Sequence, residues 1–140
     1  MRVMGLDVGQ ARIGVAVSDE TLLIAQAITT LKRLSWEKDL QRILKLAEEY
    51  EVGQIIVGYP LNMNGTEGRQ ALFVQRFVGR LRAATSLEVS LWDERLSSFS
   101  AEQILSEGSL SRKKQKLVID KVAAAVILQS YLDRRRDAAR

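Results

Sequence analysis

Residues 3–18 read Val3-Met4-Gly5-Leu6-Asp7-Val8-Gly9-Gln10-Ala11-Arg12-Ile13-Gly14-Val15-Ala16-Val17-Ser18. Val3–Val8 is an apolar run interrupted by a single charge, Asp7, and it ends at Gly9, so it reads as a buried strand. Ile13–Ser18 reads as a second strand after a short turn, and Ile24–Leu31, which alternates loosely, as a third. The three are close enough in sequence to form an antiparallel meander. Working outward, Ser35 is placed to cap a helix over Trp36–Glu51. Trp36, Leu40, Ile43, Leu44 and Ala47 share one face of it. Gln54–Tyr59 is a β-branched run stopped by Pro60, a fourth strand, and Leu61–Arg69 is a polar loop. The spacing of Leu72, Phe73, Phe77 and Leu81 predicts a helix over Gln70–Ala84, and Leu87–Trp92 is a fifth strand. A helix over Ser98–Glu107, ended by Gly108, and the longest helix, Lys116–Arg135, complete the chain. The order β-β-β-α-β-α-β-α-α implies an antiparallel first half and a helix-linked parallel second half. The expected fold is α/β: one domain over 1–140 with a mixed five-stranded sheet and helices on both faces.

Composition restricts the chemistry. The 140 residues include no cysteine and no histidine. That excludes disulfides, thiolate or imidazole metal sites, cysteine nucleophiles and histidine-based acid–base catalysis. What remains is carboxylates, lysine, arginine, hydroxyls, backbone groups and hard metal ions. The charge is uneven. Residues 1–107 carry a net −2 and residues 108–140 a net +6, concentrated in Arg112-Lys113-Lys114-Gln115-Lys116 and Arg134-Arg135-Arg136. Such clusters favour a polyanionic partner, although the last arginines also suit a helix C-terminus. Asp7 interrupts any signal-peptide core, and the longest fully apolar run, Val122–Leu128, is far short of the ~20 residues that span a bilayer. The expectation is a cytoplasmic protein with no membrane partner.

Three acids stand in apolar settings. Asp7 lies near the end of a buried strand, Glu94 just past the end of another, and Asp120 on the stripe of the last helix that includes Leu117, Ala124, Ile127 and Tyr131. Buried carboxylates are costly unless paired with a cation. One reading is three separate salt bridges: Asp7 with Arg12, Glu94 with Arg95, Asp120 with Lys116. The other is convergence on Mg²⁺ or Mn²⁺, hard ions that prefer oxygen ligands and serve phosphate chemistry. Asp93 competes with Glu94, because strand alternation sends neighbours to opposite faces.

Two glycine-bearing stretches suit phosphates. Asp7-x-Gly9 followed by Gly14 allows close backbone approach to a phosphate, and is equally readable as a plain hairpin turn. The loop Gly58–Arg69 offers Asn62, Asn64, Thr66 and Arg69 for phosphate or base contacts, and is equally readable as a solvent loop.

Four segments together resemble the YqgF/RuvX family: Val3-x-Gly5-x-Asp7-x-Gly9 through Gly14-x-Ala16-x-Ser18-Asp19; Val57–Thr66; Asp93-Glu94-Arg95-Leu96-Ser97; and Asp120-Lys121-Val122-Ala123-Ala124. Members are described as pre-16S rRNA nucleases and as Holliday-junction-resolvase-like. The resemblance implies an RNase H-like fold and a metal-dependent nuclease, with Asp7, Glu94 and Asp120 as catalytic residues and ligands of Mg²⁺ or Mn²⁺. Arg12, Asn62, Asn64, Thr66, Arg69, Arg95, Lys113, Lys114 and Lys116 would contact nucleic acid. The substrate would be structured RNA, precursor 16S rRNA, or branched DNA, bound by a monomer or a homodimer. Two places where related nucleases carry a further acid differ here: the fourth strand ends Val57-Gly58-Tyr59, and the helix has Leu117 and Ala123 a turn either side of Asp120. The alternatives are a Holliday-junction resolvase and a non-catalytic nucleic-acid-binding factor. A two-lobed sugar-kinase-type ATPase does not fit in 140 residues.

Overall fold

The structure, a computed structural model, describes residues 1–96 and 112–138, with side chains in the last helix from residue 117 onward. Five strands form one sheet: β1 (Arg2–Val8), β2 (Arg12–Ser18), β3 (Ala25–Lys32), β4 (Val52–Tyr59) and β5 (Glu88–Asp93). The spatial order is β3-β2-β1-β4-β5. β1 pairs antiparallel with β2, and β2 with β3, while β4 runs parallel to both β1 and β5. The helices are α1 (Trp36–Glu49), α2 (Arg69–Ala84) and α3 (Arg112–Ala138), with a 3₁₀ turn at Glu94–Leu96. The sheet is the mixed five-stranded one expected from the sequence. The helix expected over Ser98–Glu107 lies outside the described residues.

Strand alternation divides the core in two. Met4, Leu6 and Val8 face the side covered by α1 and α2, joining Ile55, Val57, Ile43 and Phe77. Val3 faces the other side, where Ala16 and Ile56 meet Ala124, Leu128 and Leu132 of α3. Asp7 shares parity with Val3, so it belongs to the α3 face.

Strand and helix ends shift by a residue or two from the sequence reading, and the helices differ from it as follows. Helix α1 stops at Glu49, two residues early, because Glu51 takes a left-handed conformation with φ of 54°. The buried stripe of α2 is Ala71, Val74, Phe77, Val78 and Leu81, which leaves Leu72 exposed. The long helix starts at Arg112, a turn before Lys116, and runs on to Ala138. Among the described residues no helix is long and apolar enough to cross a membrane.

Candidate active site

The geometry starts from Asp7 at the end of the central strand. Its partner across β2 is Gly14. On the other side the register pairs Leu6 with Val57, which sets Gly58 beside Asp7. The acid is therefore flanked by two strands that carry no side chain at its level, and each gap is filled from above. A Cβ on Gly14 would lie 1.9 Å from the main-chain carbonyl oxygen of Asp120. A Cβ on Gly58 would lie 2.6 Å from Cδ1 of Ile127 and 3.1 Å from both Cγ and Cδ of Glu94. Gly14 brings α3, and with it Asp120, down beside Asp7. Gly58 makes room for the Glu94 side chain. The structure thus gives Gly14 a packing role in place of the phosphate approach considered from the sequence. It also explains why β4 ends without an acid of its own.

Alternation puts Asp93 and Glu94 in different surroundings. Trp92 packs into the α3-side core, with its Nε1 donating to Ser130 Oγ at 3.2 Å. Asp93 pairs in register with Tyr59, which belongs to the opposite core. The chain then turns, and Glu94 comes back over Gly58. Asp93 is occupied with Arg95, whose Nε reaches both carboxylate oxygens at 3.1 Å and whose Nη2 reaches Oδ2 at 2.7 Å. This bidentate clamp holds the Asp93 carboxyl below the usual range.

Glu94 behaves oppositely. Burial, then repulsion from Asp7 and Asp93, pushes its carboxyl up to about 7. Burial, then repulsion from Asp120, pushes Asp7 up to about 6. Perturbation of this kind marks groups held close without a compensating cation. Among the described residues neither Asp7 nor Glu94 forms an ion pair. Asp120 does: Arg12 Nε donates to its Oδ2 at 2.5 Å. The salt bridges considered from the sequence, Asp7–Arg12 and Glu94–Arg95, are replaced by Asp120–Arg12 and Asp93–Arg95. The cause is the strand register, which carries Arg12 to α3 and turns Asp93, not Glu94, toward Arg95. Among the described residues no three acids stand as a ready-made metal cage, and Asp120 is held by Arg12.

The end of β1 is braced from behind. Gln70 Nε2 donates to the Val8 carbonyl at 2.8 Å, and Arg33 Nη1 to the Gly9 carbonyl at 3.2 Å. Arg33 itself lies 4.8 Å from the Trp36 ring and 5.3 Å from Phe73, and its Nε bonds the fully buried Asp39 at 2.7 Å. Asp39 is not among the acids that stand out in the sequence. Its signal was the arginine spacing, six residues before and three after, which lets Arg33 and Arg42 both reach it.

The remaining candidates are spread around this centre. Asn62, Asn64 and Thr66 form an exposed loop between β4 and α2, and Arg69 is the first residue of α2. Lys113, Lys114 and Lys116 occupy the opening turns of α3, ahead of Asp120.

This sheet order, with helices on both faces, is that of the RNase H-like α/β proteins. The *T. thermophilus* RuvC structure solved with a Holliday junction substrate superposes with a TM-score of 0.61 at 15% identity, covering 97% of this chain and 96% of that one. The fowlpox virus resolvase, solved with Holliday junction DNA, gives 0.56 at 13% identity over 96% and 99%. At the level of sequence, the family model RuvX, Holliday junction resolvase, matches residues 1–134, and the chain belongs to that family. A relative from *Thermoanaerobacter pseudethanolicus* named "Putative pre-16S rRNA nuclease" is 54% identical over 138 residues, 98% of this chain and 99% of that one. One of the same name from *Geobacillus* sp. is 53% identical over 95% of this chain and 98% of its own length.

Proposed function

We propose that the chain is a divalent-metal-dependent nuclease that hydrolyses phosphodiester bonds in precursor 16S rRNA. The observation that carries this reading is the placement of Asp7 and Glu94: two carboxylates over adjacent glycine gaps, both raised first by burial, with Asp7 close enough to repel Glu94 and Asp120 close enough to repel Asp7. That donor set suits Mg²⁺ or Mn²⁺, which neutralise clustered carboxylates through oxygen ligands. Asp7 and Glu94 would hold the ion, with Asp120 as the third ligand in place of its bond to Arg12. When bound, the ion lowers the pKa of a water and neutralises charge on the phosphate. The chain's own residues orient the acids: Gly14 and Gly58 set their spacing, and Gln70 and Arg33 fix the turn behind Asp7. Arg12, Arg69, Lys113, Lys114 and Lys116 supply positive charge for the backbone of the nucleic acid. Arg95 contributes as a brace, since its charge is matched by Asp93.

The test is cleavage of precursor 16S rRNA with Mn²⁺, with Mg²⁺ and with chelator, beside Asp7→Asn. Metal-dependent cuts lost in the variant support the reading. Equal cleavage by the pure variant, or none by wild type while RNA still binds, overturns it, the latter in favour of a non-catalytic binding factor. A four-way DNA junction in the same assay separates a resolvase: cuts there and none in the RNA would reassign the substrate.

A further inference from the structure

Strand β3 is an edge of the sheet, on the opposite side from β5 and Glu94. Its ladder shows which backbone groups face out. The Arg33 N–H donates to the Ala11 carbonyl at 2.9 Å, and the Asp19 N–H to the Ile24 carbonyl at 3.0 Å. Antiparallel alternation, counted inward from these two bonds, turns the N–H and C=O of Ala25, Ala27, Thr30 and Lys32 away from β2. Both ends of that edge are occupied. Gln129 Oε1 accepts from the Ala25 N–H at 2.8 Å, and Arg42 Nη2 donates to the Lys32 carbonyl at 2.7 Å. Among the described residues no bond reaches the outward backbone groups of Ala27 and Thr30.

This open stretch, residues 27–30, has a cleft on each face. The cleft toward α3 is about 220 Å³ and is lined by Thr30, Leu117, Val118 and Lys121. The cleft toward α1 is about 320 Å³ and is lined by Leu31, Arg42, Lys45, Leu46 and Glu49. Ile28 and Thr29 border both. A strand laid along β3 sends alternate side chains into the two clefts. The surroundings are cationic. Lys32, Lys45 and Lys121 form no ion pair among the described residues, and Glu49 is the one acid of either lining. Arg42 Nε is a buried donor with no acceptor.

That charge selects the occupant. A second copy would bring the same lysines to the same edge. It would also bring the same bulge, since Ile28 has no partner between Ala27, opposite Ala16, and Thr29, opposite Val15. Lysines and bulges are the features that guard an edge against self-pairing. Nucleic acid would find no aromatic side chain on this stretch for its bases to stack on. We propose that the open stretch of β3 takes an extended peptide segment of another protein as a sixth strand. The segment carries aliphatic side chains at its centre, for the two clefts, and acidic residues at its ends, for the lysines and Arg42. This docking edge stands apart from the nuclease reading, and its test needs no cleavage.

The test uses the full chain and a fluorescein-labelled heptapeptide with valine, isoleucine and valine at its centre and two acidic residues at each end. Wild type should bind it saturably by fluorescence anisotropy, and amide exchange at Ala27 and Thr30 should slow on binding. The same peptide with lysines in place of its acids should bind about tenfold more weakly. Ala27→Pro suits an edge position whose N–H faces out, and by removing that donor it should weaken binding about tenfold. Lys45→Glu changes an exposed side chain and should weaken binding about threefold. No saturable binding, equal binding of the lysine peptide, or a folded Ala27→Pro that binds fully overturns the proposal. Where Ala27→Pro fails to fold, a Lys45→Glu that binds like wild type overturns it instead. Exchange at the two amides that slows with protein concentration alone would give the edge to a second copy. Exchange that slows with a single-stranded RNA and not with the peptide would give it to nucleic acid. Either result overturns the peptide site.

Discussion

The main-chain carbonyl of Asp120 rests on the bare α-carbon of Gly14. A Cβ there would stand 1.9 Å from the carbonyl oxygen and 2.4 Å from its carbon. Both obstacles are backbone, so relief requires moving α3 away from β2. Gly14→Ala should cost about 3 kcal/mol, the upper end for overpacking a filled site, read from urea unfolding. A loss under about 0.5 kcal/mol, typical of a surface change, would mean the helix is free to shift there and that Gly14 does not set the position of Asp120.

Gly58 offers a contrast at the other side of Asp7. A Cβ there meets side-chain ends, Ile127 Cδ1 at 2.6 Å and the Glu94 carboxyl arm at 3.1 Å. Side chains can give, so Gly58→Ala should cost only about 1 kcal/mol. Its effect also reaches Glu94, which must give by a few tenths of an ångström. Misplacement of a reacting group by an ångström is worth about 100-fold in rate, so this smaller shift should cost roughly tenfold. The variant should therefore melt within a few degrees of wild type and cleave precursor rRNA about tenfold more slowly. Wild-type cleavage would show that Glu94 does not act from this position.

The raised carboxyls predict an inverted pH dependence for the metal-free protein. Asp7 titrates near 6 in the fold against an ordinary 3.8, and Glu94 near 7 against 4.5. Between about pH 4 and pH 7 the folded chain holds protons that the unfolded chain has released. The contribution of these two groups to stability therefore falls as pH rises through that window. Asp7→Asn removes its share of the effect. The variant should equal wild type near pH 4 and exceed it by on the order of 2 kcal/mol at pH 8. Adding Mn²⁺ at pH 8 should stabilise wild type and not the variant. A variant no more stable than wild type at pH 8 would show that Asp7 is compensated in the fold.

Much of this site was legible in the sequence, for reasons that differ residue by residue. Asp7 stood out because a charge inside an apolar strand has few innocent explanations. The sheet followed from the spacing of short apolar runs. What the sequence could not supply was three-dimensional register. Arg12 is five residues from Asp7 and 108 from Asp120, yet it pairs with the latter. Asp93 and Glu94 are adjacent, and only the packing of Trp92 and Tyr59 on opposite faces shows which one turns toward Asp7. Asp39 did not stand out because one of its partners, Arg33, is brought in only by the chain reversal before α1, while Arg42 reaches it along the helix. Gly14 and Gly58 carried a signal, glycine within strands, but whether phosphate or protein fills such a gap is decided by α3.

Arg12 supplies a test of whether Asp120 belongs with the other two acids. The ion pair is half-buried, with side-chain exposures of 31% for Arg12 and 21% for Asp120. Arg12→Gln should lower the stability of the metal-free protein by about 1 kcal/mol, as for a partly solvated pair. It also leaves Asp120 without its cation beside Asp7. Mn²⁺ should then raise the melting temperature of the variant by more than it raises that of wild type, since binding to the folded state alone adds stability. An equal or smaller rise would remove Asp120 from the ligand set.

The brace behind the acids rests on Asp39. Burial pushes its carboxyl up, but bonds from Arg33 Nε at 2.7 Å, the Leu34 N–H at 3.0 Å and Arg42 Nη2 at 2.7 Å outweigh it and hold the group below its ordinary value. A lowered carboxyl contributes stability that is present above its unfolded pKa near 4 and is lost as pH falls through the lower folded value. Asp39→Asn keeps the shape but removes the charge facing two partly buried guanidinium groups. The expected cost is about 3 kcal/mol, in line with breaking a buried pair by one partner, and it should shrink toward pH 3. The consequence reaches the site, because Arg33 also donates to the Gly9 carbonyl two residues after Asp7. With its anchor gone, Arg33 no longer fixes that turn. Asp39→Asn should thus lower kcat several degrees below its melting midpoint, where the chain is still folded, with little change in KM. Wild-type turnover at that temperature would confine Asp39 to stability and leave Gln70, on the Val8 carbonyl, as the brace that matters.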